Sequence, residues 1–292
     1  MNLIDSHCHV QFRAYDADRR EVVLRARDHK IGMILVGTTT ETSKSAIETA
    51  SWFGEGLWAT VGLHPNYLSG EDYLDEQEMN AAIRVGEKYL REDFDEAAFL
   101  EMARNPKVVA LGETGLDYFH FPEDINIEQA KERQREGFRA HIRVADASLK
   151  PVVVHSRNAH GDLIKLIDEE IAAGHLVKRG VQHCFTGTAE QAAECVARGF
   201  YIGFGGVITF PAKKSNPEVQ ESLWKAVRET PLESIIIETD APYLAPNEMR
   251  GKRNEPDYVR FVAEKIAELK GISYEKVARA TTDNAIKLFG LS

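Results

Sequence analysis

Short apolar runs recur eight times along this chain, at 3–5, 32–36, 58–62, 108–112, 152–154, 180–183, 201–204 and 235–238, with polar stretches of helical spacing between them. Several runs are dense in Val and Ile, the composition of strands covered on both faces. Strands of this kind alternating with helices specify repeated βα units around a parallel sheet. The helical stretches fall at 19–29, 43–53, 129–148, 162–173, 189–198, 217–228, 256–269 and 274–288, the last with Ser273 placed to cap it. Eight strands with eight following helices predict an α/β fold, the (β/α)8 TIM barrel, as one domain over residues 1–292.

One segment breaks the alternation. Between 69 and 104 eleven acids stand against four bases, a balance of -7 within a chain of net charge -10. Ile83, Tyr89, Leu90, Phe94, Phe99 and Leu100 recur there at roughly helical spacing, which predicts an acidic helical insertion over 66–105, after the third strand. The remainder of the chain carries only -3, so the acidic total does not exclude a polyanionic partner.

No run approaches the ~20 apolar residues that span a bilayer, and MNLIDSHCHV lacks the basic start and long apolar stretch of a signal peptide. A cytoplasmic location without a membrane partner is the expectation. Cys8, Cys184 and Cys195 form no CxxC pair, in keeping with a reducing compartment. Cys8 stands between two histidines, and strand alternation turns it away from them, into the core. No obligate protein partner is evident.

Six potential metal ligands stand at or just beyond the ends of the apolar runs: His7, His9, Glu113, His155, His183 and Asp240. His7 and His9 are two apart, so on a strand both imidazoles project to one face. An HxH pair alone is a weak signal. Its weight comes from two further histidines and two carboxylates at other strand ends, which a barrel gathers at one mouth. Imidazoles with bridging or capping carboxylates suit two divalent ions, Zn, Mn or Fe, with Mg also compatible. Such a pair activates water and stabilises a leaving oxygen, so hydrolysis is the predicted chemistry. Asp240, near both metal and water, is the candidate general base, or else a ligand only.

The segments DSHCHV, VGLHP, LGETGLDY, PVVVHSR, QHCFTGT, IIIETDAPYL and RGKRNEP, in order from residue 5 to residue 256, resemble the motif set of the TatD-type metal-dependent deoxyribonucleases, among the amidohydrolase-like barrels. The resemblance implies that His7 and His9 with Asp240 hold one ion, that His155 and His183 hold the other, and that Glu113 bridges them as a catalytic residue. It also implies a DNA substrate cleaved from its strand ends. The chain departs from the family pattern in its long acidic insertion after His64, which bears on access to the site and on substrate size.

Substrate contacts are expected from His64 in GLHP, through phosphate or an accessory ion in preference to a capping role, and from Ser156 and Arg157 beside His155. An arginine fork suits a phosphate oxygen. Lys213, Lys214, Arg250, Lys252 and Arg253 fall in the loops after strands seven and eight, where barrels often bind phosphate. Of these, Lys252 and Arg253 are the candidate contacts, the alternative being that Arg250 and Arg253 tie their loop to Glu248 and Glu255. Glu238 is expected to orient a ligand or water, and Asp117 to support Glu113. The same metals would serve an ester or amide as well as a phosphodiester, so a deacylase of aminoacyl-tRNA or a small-molecule amidohydrolase remains the alternative.

Overall fold

In a computed structural model, residues 1–70, 78, 91–119, 121 and 125–291 are described. Eight parallel strands follow one another around a single sheet in chain order: β1 (Leu3–Cys8), β2 (Ile31–Val36), β3 (Leu57–Val61), β4 (Val108–Asp117), β5 (Val152–Arg157), β6 (Gly180–Gln182), β7 (Tyr201–Phe204) and β8 (Ile235–Ile237). Past the end of β8 the chain returns to β1: Asp240 N–H donates to His7 O at 2.8 Å and His9 N–H to Ala241 O at 2.7 Å. These two bonds help close the barrel.

The described helices are α1 (Arg19–Asp28), α2 (Thr40–Ala50), α3 (Pro65–Ser69), α4 (Glu96–Ala103), α5 (Ile127–Ser148), α6 (His160–Ala172), α7 (Ala189–Ala197), α8 (Pro217–Glu229), α9 (Val259–Lys270) and α10 (Tyr274–Phe289). Ser273 caps α10 by accepting from Lys276 N–H at 3.3 Å. The helix expected over 256–269 is a short 3-10 turn, Pro256–Tyr258, leading into α9. None of the described helices is long and apolar enough to cross a membrane.

Alternation along the strands sorts the apolar residues into two cores. Leu3, Met33, Leu35, Leu57, Val152, Val154, Ile235 and Ile237 pack outward under the helices. Ile4, Ile34, Val36, Trp58, Val109, Val153, Val181 and Ile236 form a second cluster that fills the barrel and meets Phe289 and Leu291 of the C-terminal segment. Each fully buried Ile or Val contributes roughly 1.5–3 kcal/mol by leaving water. Cys8 lies in the outer cluster, as expected.

Within the expected insertion over 66–105, α3 occupies its start and α4 its end; Ile83, Tyr89 and Leu90 lie outside the described residues. Phe94 and Phe99 stack on each other with centroids 4.3 Å apart, and Phe94 lies 3.8 Å from the ring of buried His141. These contacts anchor the C-terminal end of the segment against α5.

Two strands leave regular register where they carry candidate ligands. Pairing slips between Asp5 and Cys8 on β1 and between Leu111 and Thr114 on β4, irregularities that re-aim side chains. Gly112 and Gly115 adopt φ of 135° and 136°, and a Cβ at either would overlap the carbonyl oxygen of Val153 or His155 on β5. The glycines of LGETG thus let β4 run close to β5, and the strand continues to Asp117, past the apolar run.

Candidate metal centre

All six expected ligands meet at the C-terminal mouth of the barrel, where they line or underlie a cavity of about 520 Å³. His7 comes from β1 and His9 from just past its end, and their Nε2 atoms stand 3.1 Å apart. Asp240 Oδ1 lies 3.6 Å from His7 Nε2 and 3.4 Å from His9 Nε2. A second set gathers around Glu113 Oε1, with His183 Nε2 at 2.8 Å and His155 Nδ1 at 3.0 Å, these two nitrogens being 3.3 Å apart. The other oxygen of Glu113, Oε2, faces His7 Nε2 at 3.4 Å.

These spacings suit metal ligation. Four donors at a Zn–N length of about 2.05 Å lie about 3.3 Å from one another around a tetrahedron. Both sets match that edge, and one carboxylate presents an oxygen to each. Other triads stand as close, His64 with Asp117 and His155, and His7 with His183 and Glu238. Ring geometry orders them. His155 turns Nδ1 to Glu113 and Nε2 to Asp117 Oδ2 at 3.1 Å, so Asp117 orients the imidazole from behind. His9 Nδ1 is held by Val36 O at 2.8 Å, which leaves Nε2 for the mouth. Glu238 Oε1 sits 3.5 Å from His183 Nδ1 and accepts from Cys184 N–H at 2.5 Å.

Carboxylates and imidazoles favour each other's charged forms across the site. Burial raises the Glu113 carboxyl, but the facing imidazoles of His183, His64 and His155 outweigh it and hold it well below the usual carboxylate range. Burial likewise opposes ionisation of Asp240, and the hydrogen bond from His9 with the charges of His7, His9 and His183 lowers it. Burial works against protonation of His183, yet Glu113 and Glu238 raise it well above the ordinary value. His155 is raised against burial by Asp117 and Glu113, and His9 by Asp240 and Glu113. Divalent ions offered to these carboxylates would displace such imidazole protons on binding.

The remaining expected residues divide. Ser156 and Arg157 line the cavity, and the Arg157 guanidinium lies 3.6 Å over the ring of Phe119. No described carboxylate is within ion-pair reach of Arg157. His64 caps α3 by accepting from Asn66 N–H at 3.3 Å, while its Nε2 stays 3.4 Å from Glu113 Oε1. The capping role set aside in the sequence is therefore present, because the helix starts at Pro65 and needs an acceptor there. Asp117 supports His155, where the sequence pointed to Glu113: β4 and β5 pair in parallel at Asp117 and Arg157, bringing the carboxylate beside the neighbouring strand's histidine. Arg253 does not reach the cavity; its guanidinium donates to Asp18 at 2.7 and 2.8 Å and to Ala14 O at 2.7 Å, above the Tyr15 ring. Its loop tie is to Asp18, with Glu255 more distant at 3.5 Å. Lys252 is exposed and outside the cavity lining, as are Lys213 and Lys214.

Two buried residues escaped the sequence reading. Asp5 accepts from Thr239 N–H at 2.9 Å and Thr239 Oγ1 at 2.6 Å, joining β1 to the turn that carries Asp240. Burial pushes its carboxyl up to about 8. Asn254 donates to Thr239 O at 2.8 Å and Tyr243 O at 2.6 Å and accepts at its backbone O from Tyr15 at 2.5 Å. Together they fix the 239–243 turn from both sides. An acid inside the first apolar strand was the available signal for Asp5; Asn254 had none beyond its place in RGKRNEP.

The family model described as TatD related DNase matches residues 4–290. An uncharacterized metal-dependent hydrolase of Bacillus subtilis, YabD, is 38% identical over 291 residues, covering 99% of this chain and 100% of the relative. The 3'-5' ssDNA/RNA exonuclease TatD of Escherichia fergusonii is 34% identical over 280 residues, 94% of each chain. Among solved structures, the TatD homolog YJJV of Escherichia coli superposes with a TM-score of 0.79 at 28% identity, over 100% of this chain and 99% of that one.

Proposed function

This chain belongs to the TatD related DNase family of metal-dependent hydrolases, and from that premise we propose that it is a two-metal phosphodiesterase removing nucleotides from the ends of single-stranded DNA or RNA. The observation that carries the reading is Glu113, whose two oxygens face separate histidine sets. A relative named as a 3'-5' ssDNA/RNA exonuclease supports the choice of bond. A concave cavity of about 520 Å³ at a barrel mouth suits a strand end better than the interior of a rigid duplex.

The six donors would hold two divalent ions, with His7, His9 and Asp240 on one side, His155 and His183 on the other, and Glu113 between them. Bound there, such ions would lower the pKa of water and neutralise charge on phosphate oxygens. The protein supplies the rest. Asp117 holds His155 in the ligating orientation through a hydrogen bond, and the Glu238 carboxylate faces His183 Nδ1 at 3.5 Å. Arg157, backed by Phe119, presents a guanidinium to a phosphate oxygen, and His64 Nε2 and Ser156 stand on the same wall. Asp240, kept ionised by its imidazole neighbours, takes a proton from the attacking water and delivers it toward the leaving oxygen. The location of the protein in the cell is proposed to be cytoplasmic.

The test is release of nucleotides from 5'- and 3'-end-labelled single strands in Mg, Mn and Zn. The reading expects metal-dependent release that His155→Ala abolishes while circular dichroism stays unchanged. No release from any DNA or RNA under any of the three metals, with turnover of a carboxyl ester instead, would replace it with the esterase alternative.

A further inference from the structure

The cavity mouth is not alike on its two sides. On the β3–β5 side its wall is polar or cationic, with His64, Ser156 and Arg157. On the β7–β8 side it carries Val207, Tyr243 and Leu244, with no basic group among its lining residues. Strand order puts these walls across the barrel from each other, with the ligands between and beneath them.

The apolar wall is rigidly mounted. Val207 lies in the 3-10 turn Gly206–Thr209, whose carbonyls accept from two side chains of α8: Gln220 Nε2 to Val207 O at 3.2 Å and Trp224 Nε1 to Ile208 O at 2.8 Å. Tyr243 donates its N–H to Asp240 O at 2.9 Å and gives its carbonyl to Asn254. Leu244 follows at φ 53°, in the left-handed region that a leucine rarely adopts, with its carbonyl packed so closely on Gly206 that a Cβ there would overlap it. At such a position Asn or Gly costs less. A leucine there that is also 37% exposed at the rim of a metal cavity is costly to backbone and solvent alike, and such costs concentrate at functional sites.

We propose that Val207, Tyr243 and Leu244 form a nucleobase subsite, seating the base of the terminal nucleotide while its phosphate lies over the ligand cluster and against Arg157. The subsite rests on the phosphodiesterase reading and adds to it the element that separates a nucleotide from any other phosphodiester. Aliphatic and phenolic surfaces without a matched set of donors and acceptors accept the face of every base, so the subsite selects a nucleotide without selecting its sequence. Since it adjoins Asp240 through the 240–244 turn, a seated base also limits how far the scissile phosphate can swing from that carboxylate.

Leu244→Asn tests it, because asparagine suits the left-handed backbone and leaves the fold at least as stable. Wild type and variant are compared on thymidine 5'-(4-nitrophenyl phosphate) and on methyl 4-nitrophenyl phosphate, which has no base. Inhibition by thymidine 5'-monophosphate and by inorganic phosphate is measured alongside. The proposal expects kcat/KM for the thymidine ester to fall about five- to tenfold, and the inhibition constant of the nucleotide to rise by a similar factor. The methyl ester and inorganic phosphate should change by less than about twofold. Val207→Ser should repeat the pattern. An equal loss on both esters, or no loss on either, overturns the subsite and leaves the phosphodiesterase reading intact; wild-type protein that hydrolyses neither ester removes both.

Discussion

In the lower half of the barrel the interior is packed with Ile4, Val109, Val153, Val181 and Ile236 against Phe289 and Leu291, while a few residues further along the same strands or just past them the interior becomes His7, Glu113, His155, His183 and Asp240. The lower half is apolar, its interior side chains buried without polar demands, with one register shift where Ala59 and Thr60 pair with β4. Left-handed residues there, Lys30, Leu149, Leu176 and Arg179, lie in the turns that lead into strands. In the upper half the irregularities fall on the polar cluster and its rim: register slips on β1 and β4 beside His7 and Glu113, and left-handed backbone at Cys184, Asp240 and Leu244. Left-handed non-glycine residues cost of order 1–3 kcal/mol each and persist only where surrounding structure holds them. The difference teaches a division of labour along single strands, in which aliphatic packing at one end stabilises a fold that the ligand cluster at the other end would not maintain.

Substitutions at either end separate the two halves. Asp240→Asn removes the proposed proton acceptor at nearly constant shape. Turnover should fall between about a hundred- and ten-thousandfold, with the melting temperature little changed, as read by steady-state kinetics beside a thermal scan. Ile34→Ala cuts the lower half. A cavity at that fully buried position should cost about 2–5 kcal/mol in urea unfolding, with kcat unaltered at temperatures where the variant stays folded. A variant of Ile34 that lost activity in its folded state would erase the division.

The smallest effect sharpens a third region, between the halves and outside the barrel. His141 on α5 accepts from Leu63 N–H at 2.9 Å and donates to Gly137 O at 2.7 Å, next to the turn carrying His64. Burial lowers its imidazole from 6.5 to about 3. Because the folded value is depressed, its contribution to stability is complete above pH 6.5 and is lost as pH falls from there toward 3. The slope is about 1.4 kcal/mol per pH unit for one proton. Unfolding of wild type and His141→Gln at pH 7.5 and 5.5 should show a smaller pH dependence in the variant; equal dependence would mean that His141 is protonated in the fold.

Legibility in the sequence followed the same division. Aliphatic runs such as Val152–Val154 report strand positions directly, because burial on both faces demands continuous apolar composition. All eight strands were therefore readable, and so was the convergence of the six candidate residues at their ends. What lay beyond the runs was read less well. β4 extends to Asp117 because glycines at 112 and 115 permit close approach to β5, and a pattern of apolar residues does not register that extension. The partner of Asp117 was misassigned for the same reason, since His155 becomes its neighbour only through strand pairing. Arg253 looked like a phosphate contact from its loop, but Asp18 is brought against it by packing of α1's N-terminal end, 235 residues away in sequence. Residues that act through local composition were legible; residues whose meaning depends on a distant partner were not.

The central claim is that Glu113 joins two cation sites into one centre. Metal content of purified protein after loading with Zn or Mn and removal of free ions, measured by elemental analysis for wild type and Glu113→Gln, tests it most directly. Two equivalents per chain in wild type, falling to one or fewer in the variant with the fold intact by circular dichroism, is the expected result. A single equivalent in wild type that Glu113→Gln leaves undisturbed would contradict the account.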